Sequence, residues 1–266
     1  MDTLRVSTFG RSRVHERCVN DGIYTAENID VELDVTQSSK AQMGRLRDGV
    51  WDVVHTNADN VYWWNEDNGA DFLIVLATPG RPNQSLVVRP EIHSCAELRG
   101  KPIAVDASES GYVTPLRILL KKAGLAEEGR DFTFLEVGAT QQRIDSMRAG
   151  DTFGAMVGSD QAAALEREGF HVLDSINHLY TNYAGGTAVR REWAEKREDL
   201  LLRYLRAYLR GQAAEDGKPG QATPRFGWDG LQEMMQMRRD VGLLRGPVDA
   251  HRFADDRYFQ RALATL

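Results

Sequence analysis

Short apolar runs alternate along this chain with longer segments that place apolar residues on one helical face. Residues 29–33 alternate apolar and polar positions, as a half-buried strand does, whereas residues 72–76 are continuously apolar, as in a buried strand. Between them, Ser38 and Ser39 can cap a helix that Gly49 ends. Strand and helix patterns keep alternating in this way, which predicts an α/β fold with largely parallel sheets.

The same pattern places elements along most of the chain. The predicted strands are residues 4–9, 29–33, 51–55, 72–76, 86–88, 103–105, 132–135, 153–157 and a strand that starts at 172–173. The predicted helices are residues 11–24, 38–48, 59–68, 111–124, 140–149, 160–168, 193–211 and 228–239. A polar loop that contains Gly and Pro, at 212–224, separates the last two helices.

The alternation is interrupted once and then starts again. Residues 78–83 are rich in turn-forming residues, and a new strand pattern begins at Leu86. The β/α runs at 4–76 and 86–172 are similar in size, and residues 183–189 could carry the chain back. We therefore expect two similar lobes joined by a crossover.

Composition and charge narrow the classes of function. A length of 266 residues suits two lobes or one large α/β domain. The net charge of -6 argues against a nucleic-acid groove, because such a groove needs clustered Lys and Arg. Cys18 and Cys95 form no CxxC motif and stand in no zinc-finger spacing, so we expect no metal site and no cofactor.

The amino-terminal segment leaves the cellular compartment open. No stretch is apolar enough to span a bilayer, so we expect no direct membrane insertion. The first strand pattern follows Met1 almost at once, without the basic, apolar and small-residue regions of a secretion signal. Either a signal peptide was removed and the protein is periplasmic or otherwise extracytoplasmic, or Met1 is the native start and the protein is cytoplasmic.

Four segments carry a resemblance to a known family. They read GIYTAENIDVE at 22–32, MGRLRDGVWDV at 43–53, AELRGKPIAV at 96–105 and VDAHRFADDRYF at 248–259. In this order they resemble the substrate-binding proteins of ABC transporters of the sulfonate, taurine and thiamine-pyrimidine-synthase-like type. Together the four segments are distributed over nearly the whole chain.

This resemblance implies a two-lobed, type II periplasmic-binding-protein-like fold, in which two sheets flanked by helices are joined by a double crossover hinge. Lobe one would comprise residues 1–80 plus 186–266, and lobe two residues 81–185. The implied function is that of a solute-binding protein of an ABC-type importer, with a small anionic or polar organic ligand between the lobes. Its implied partners are that ligand and an ABC permease, and the chain would act as a monomer or dimer.

The candidate ligand-binding residues share one position in the predicted fold. They follow strands, where open parallel sheets bind ligands beside helix N-termini. The candidates are Phe9, Gly10, Arg11, Ser38, Ser39, His55, Thr56, Asn57, Asp106, Ser108, Ser110, Gly138, Thr140, Ser159 and Asn182.

Each candidate also has a purely structural interpretation. Serines such as Ser39 and Ser108 would suit a carboxylate, sulfonate or phosphate, because helix N-termini carry free N–H groups, but a serine there also caps a helix without a ligand. His55 could point into the pocket or form hydrogen bonds inside its lobe. Arg11 could pair with an anion or be solvated at a helix start.

A cytoplasmic enzyme on the same fold is the alternative function. It would be decarboxylase-like, lyase-like or desulfinase-like and act on a small organic acid, with His55 and Asp59 as acid/base candidates. The desulfinases that the chain resembles use a cysteine just after the first strand, where this chain has Phe9 or Gly10, and Cys18 lies further on. We therefore predict binding without catalysis.

Overall fold

Two five-stranded sheets, each flanked by helices, form the frame of the protein in a computed structural model that describes residues 1–10, 12–215 and 225–266. The strands are β1 Asp2–Thr8, β2 Ile29–Val35, β3 Val53–Asn57, β4 Phe72–Gly80, β5 Gln84–Val88, β6 Pro102–Val105, β7 Thr133–Glu136, β8 Gly154–Gly158, β9 His171–Ser175 and β10 Tyr183–Arg190. The α-helices are α1 Arg13–Asn20, α2 Ile23–Ala26, α3 Ser39–Arg47, α4 Ala58–Asp67, α5 Val113–Lys122, α6 Thr140–Ala149, α7 Ser159–Arg167, α8 Arg191–Lys196, α9 Glu198–Glu215, α10 Trp228–Asp240 and α11 Arg257–Leu263. Short 3₁₀ helices lie at Cys95–Leu98, Ile176–His178 and Ala250–Arg252.

The sheet topology confirms the two-lobed α/β fold. The first sheet has the order β2–β1–β3–β10–β4 and the second the order β7–β6–β8–β5–β9. We call the part built on the first sheet the first lobe and the part built on the second sheet the second lobe. The chain passes to the second sheet between β4 and β5 and returns between β9 and β10.

Each sheet contains one strand that runs against its neighbours, and this strand directly follows a crossing. β5 is antiparallel to β8 and β9, and β10 is antiparallel to β3 and β4, so the sheets are mixed rather than largely parallel. β4 and β10 are paired up to Gly80 and Tyr183, which brings the two crossing segments side by side.

Side-chain alternation gives the second sheet a separate core on each face. Ile103 and Val105 pack with Leu116 of α5, whereas Ala104 packs with Ile144 of α6 on the opposite face. This is the period of two expected for a strand that is covered on both sides. The first sheet packs with its helices in one larger apolar cluster, which includes Tyr204 of α9.

Several predicted boundaries are corrected by the structure. The helix expected at 11–24 is two helices, because Gly22 adopts a left-handed φ of 67° between them. The helix expected at 193–211 is likewise divided, at Arg197. The polar loop expected from 212 is helical up to Glu215, and its remaining positions, 216–224, lie outside the described residues.

Candidate functional site

A cleft of about 780 Å³ lies between the two sheets. The first lobe lines it with residues at the ends of β1 and β2, with residues of β3, β4 and β10, with the starts of α3 and α4 and with one side chain of α9. The second lobe lines it with the segment after β6, with the first turn of α6 and with one side chain of α7. The lining residues of the first lobe are Phe9, Val35, Thr36, Gln37, Ser39, His55, Thr56, Asn57, Asn60, Thr78, Gly185, Gly186, Thr187 and Tyr208, and those of the second are Asp106, Gly111, Tyr112, Ala139, Thr140, Gln141, Gln142, Arg143 and Gln161.

Hydrogen bonds join the two walls of the cleft directly. The Ser39 hydroxyl of the first lobe donates to the Asp106 carboxylate of the second. The backbone N–H of Gly111 donates to Asn60 Oδ1 across the cleft at 3.0 Å. Gln142 also bonds Gln37 across it. The structure therefore has the lobes in a closed arrangement.

Arg143 is a buried cation at the second-lobe wall. Its side chain is 3% exposed, and Nη2 donates to Thr140 Oγ1 at 2.8 Å. Nη1 lies 3.5 Å from Asp106 Oδ1, and the guanidinium lies over the ring of Tyr112 at 5.0 Å. Burial lowers the pKa of Arg143, and the Asp106 charge acts in the opposite direction. Nε has no hydrogen-bond partner among the described residues, so this cation is incompletely satisfied by the protein.

The N-terminus of α6 faces the same part of the cleft. Its N-cap residue is Ala139, which has no side chain that could accept a bond from the first turn. The contrast is α3, where Ser38 Oγ accepts from the Ala41 N–H at 3.3 Å. The uncapped first turn of α6 thus presents N–H groups and the positive end of the helix dipole beside Arg143.

His55 lies in the middle of β3, and both of its ring nitrogens contact protein groups. Nε2 is 2.6 Å from the Tyr204 hydroxyl and Nδ1 is 3.2 Å from Thr187 Oγ1. The ring stacks on Tyr208 at a centroid distance of 4.6 Å and meets His15 edge-on at 4.9 Å. Burial, followed by the charge of His15, holds the pKa of His55 well below its ordinary value. His55 is therefore a neutral residue that orders the first-lobe wall.

His15 lies behind this wall and contacts Tyr24, whose hydroxyl is 2.5 Å from His15 Nδ1. His15 Nε2 has no partner in the described part of the chain. Burial lowers the pKa of His15 from 6.5 to about 4. Because no described carboxylate contacts His15, a protonated His15 would be an unpaired buried charge within the described structure, which the folded state disfavours.

We expect the free energy of unfolding to fall as the pH is lowered from 6.5 towards 4. In this window the unfolded chain binds a proton at His15 that the folded protein does not, so acid favours unfolding. The shift corresponds to roughly 3 kcal/mol, present above pH 6.5 and lost by about pH 4. Urea titrations across this range measure it.

The matched variants separate this effect from general acid destabilisation. His15→Gln should reduce the pH dependence between 6.5 and 4 and leave the part that comes from His55, whose pKa burial also lowers. Val19→Ser, at an exposed position of the same helix, should leave the pH dependence unchanged. An unaltered slope in His15→Gln would show that His15 does not titrate in this way.

Seven of the candidate residues lie in the cleft lining. They are Phe9, Ser39, His55, Thr56, Asn57, Asp106 and Thr140. The structure thus brings together residues that are distant in sequence, from both lobes, at the carboxyl ends of strands and the starts of helices.

The other candidates lie outside this lining, and most have a local partner. Ser38 caps α3, and Gly10 accepts a bond from Thr8 Oγ1 through its carbonyl. Ser108 lies outside the lining, and its N–H and hydroxyl both donate to Glu136 Oε1, at 2.9 and 3.1 Å.

The remaining described candidates also lie outside the cleft lining. Ser110 donates to Asp106 from behind the lining, and Ser159 donates to the Asn83 carbonyl at 3.1 Å. Gly138 packs next to Gln142 with a φ of 114°. Asn182 lines a separate surface depression next to α10. Arg11 lies outside the described residues.

Asp59, the second acid/base candidate, is not in the lining either. It is buried on α4, where its Oδ2 accepts bonds from Thr114 at 2.6 Å and from Arg238 at 3.0 Å. Burial raises the pKa of Asp59, and Arg238 and Thr114 lower it. Its bonds are therefore directed to structural partners on α5 and α10.

Sequence reasoning missed three side chains of the lining that have distinctive chemistry: Arg143, Tyr112 and Tyr208. Arg143 stands one helical turn after Thr140, and this spacing places both on one face of α6. That spacing was the available signal. Tyr208 lies in the middle of α9, where nothing local marks it as part of a site.

The described residues contain no group of His, Cys, Asp and Glu side chains arranged to hold a metal ion. Among the helices within 1–10, 12–215 and 225–266, none combines the length and apolar character needed to cross a bilayer.

A two-lobed α/β fold that closes on a cleft between the lobes is typical of solute-binding proteins. A family model described as "ABC transporter, phosphonate, periplasmic substrate-binding protein" matches residues 20–221. The chain belongs to this family and is a substrate-binding component of an ABC importer. Such components bind small ligands and work with a permease, and membership implies an extracytoplasmic location.

Solved structures share the fold at low sequence identity. The alkanesulfonate-binding protein SsuA from Xanthomonas axonopodis pv. citri, bound to MOPS, is 16% identical with a TM-score of 0.72, over 96% of this chain and 99% of that one. A Candida albicans gene product with the generic periplasmic binding protein fold is 13% identical with a TM-score of 0.74, over 96% and 97%. The desulfurization enzyme DSZB is 15% identical with a TM-score of 0.64, over 100% and 99%.

Proposed function

We propose that the cleft captures one small organic anion of the phosphonate or sulfonate type for import. The observation that carries this proposal is the pairing of the uncapped first turn of α6 with the buried Arg143 in the cleft lining. N–H groups at a helix start and a guanidinium are the donors that tetrahedral oxyanions favour. The family of the chain, and the sulfonate MOPS bound to the Xanthomonas protein, support the same ligand chemistry.

The carboxylate beside Arg143 indicates that the anion is recognised by directed hydrogen bonds more than by a net positive charge. Asp106 lies 3.5 Å from Arg143 and also accepts the hydroxyls of Ser39 and Ser110. The carboxylate therefore offsets the charge of the guanidinium, and the oxyanion would be held by hydrogen bonds from the helix N–H groups, from the hydroxyl of Thr140 and from Arg143. We propose that Asp106 positions Arg143 and also joins the lobes through Ser39.

The proposed function also requires the two lobes to move relative to each other. We propose that residues 1–80 plus 186–266 rotate against residues 81–185 when the ligand enters or leaves. The side-by-side crossing segments near Gly80 and Tyr183 support a hinge at this place. We further propose that the protein is periplasmic, that it delivers the ligand to an ABC permease and that it acts as a monomer or dimer.

The surroundings of His55 and Asp59, the two acid/base candidates, do not support catalysis. Both ring nitrogens of His55 contact protein hydroxyls, and Asp59 pairs with Arg238 away from the cleft lining. The similarity to DSZB is a similarity of fold. The binding function therefore remains the proposal.

Replacing Arg143 with Gln should weaken binding of methylphosphonate and methanesulfonate by roughly 10- to 150-fold, because a hydrogen bond to a charged group contributes about 1.5–3 kcal/mol. Isothermal titration calorimetry measures the affinity. Arg148→Gln is the matched control, because Arg148 lies on the same helix but pairs with Glu168 at the surface.

Thermal unfolding of both variants would establish that they are folded. Equal affinities of the wild type and Arg143→Gln would contradict the assignment of the anion site. Failure of every phosphonate and sulfonate tested, in the wild-type protein, would contradict the proposed function itself.

A further inference from the structure

The two walls of the cleft differ in chemistry. The second-lobe wall supplies the start of α6, Arg143 and Asp106. The first-lobe wall supplies apolar surface from Phe9 directly after β1, from Val35 at the end of β2 and from Tyr208 of α9. A ligand that spans the cleft therefore meets an oxyanion site on one side and an apolar surface on the other.

The apolar side chains of the first-lobe wall are unusually exposed. Phe9 is 37% exposed and Val35 is 49% exposed, although both line a cleft in a closed arrangement. Burying such side chains against a ligand would remove apolar surface from water, which is the main favourable contribution available to this wall.

Tyr208 gives this wall a fixed aromatic face. Its ring stacks on His55, and His55 is itself held by Tyr204 and Thr187. Because these contacts fix the ring plane before a ligand arrives, a planar group can pack against it at little entropic cost.

The size of the cleft favours a ligand with a substantial substituent. A volume of about 780 Å³ lies within the range of sites for drug-sized molecules, roughly 300–1,000 Å³. A one-carbon phosphonate would occupy a small part of this space and leave Phe9 and Val35 in contact with water.

We infer that the ligand is a phosphonate or sulfonate that carries an aromatic substituent. The oxyanion binds at the start of α6, and the substituent packs against Phe9, Val35 and Tyr208. This inference rests on the proposed function and narrows its ligand class.

The test compares aryl and methyl ligands with the same head group. Calorimetry should show phenylphosphonate binding about 10- to 100-fold more tightly than methylphosphonate, and benzenesulfonate more tightly than methanesulfonate by a similar factor. Equal affinities, or tighter binding of the methyl compounds, would overturn the inference and leave the proposed function standing. Absence of binding by all four compounds would overturn both.

Substitutions in the first-lobe wall test where the aromatic substituent of the ligand binds. Phe9→Ala and Val35→Ser should reduce the preference for the aryl over the methyl ligand several-fold. Val19→Ser is the matched control, because Val19 is 62% exposed on α1 and lies outside the cleft lining. Tyr208→Phe keeps the ring and should keep the preference. An aryl preference that survives both Phe9→Ala and Val35→Ser would overturn the assigned contact surface.

Discussion

Replacing Gly111 with alanine should prevent the cleft from closing. A Cβ atom at this position would overlap the side chain of Asn57 on the opposite wall, and Gly111 also donates its N–H to Asn60. Overpacking of this kind costs about 1–3 kcal/mol, so we expect affinity for phenylphosphonate to fall roughly 5- to 150-fold. Calorimetry measures the loss, and small-angle scattering with saturating ligand should show a less compact protein.

Gly44→Ala on α3, away from the cleft lining and the hinge, is the control for this substitution. A Cβ at Gly44 would lie 3.4 Å from its nearest neighbour, the ring of Trp64, which is an ordinary contact. This variant should bind and close like the wild type. Wild-type affinity and compaction in Gly111→Ala would show that the closed arrangement is not the ligand-binding one.

Replacing Asp59 with Asn should lower the free energy of unfolding by about 3–5 kcal/mol, because removing one partner of a buried ion pair leaves the other charge uncompensated. Arg238 is 0% exposed and donates to Asp59 at 3.0 Å. Thr114 of the second lobe donates to the same carboxylate oxygen, so the substitution also weakens a contact between lobes. Urea unfolding measures the change.

The control is Lys196→Gln, which breaks the exposed pair of Lys196 with Glu192 on α8 and should leave stability almost unchanged. A double variant that replaces Asp59 and Arg238 by Leu and Met should recover part of the loss, because no charge is then stranded. A loss below about 1 kcal/mol in Asp59→Asn would contradict the role given to this pair.

The fold could be predicted from the sequence where local signals agree. Helix α6 was expected at 140–149, the bounds it has, because Gly150 marks its end and takes a left-handed φ of 91°. The antiparallel direction of β5 and β10 was not predicted, since strand pattern reports burial and carries no information on direction.

The candidate site could be predicted only in part, because strand ends indicate where a ligand lies and leave the bonds of each side chain undetermined. Ser39 and Ser108 look alike in sequence, yet Ser39 reaches Asp106 across the cleft while Ser108 is bonded to Glu136. Arg143 and Tyr208 reach the cleft from helices, and their contribution depends on packing between elements distant in the chain.

The cleft should hold one organic anion and leave it chemically unchanged. Native mass spectrometry of the protein after prolonged incubation with phenylphosphonate tests both properties together. We expect one ligand per chain, recovered on denaturation with its original mass, and a greatly reduced bound fraction in Arg143→Gln. A product of different mass that accumulates with time, or the absence of any bound ligand in the wild-type protein, would contradict it.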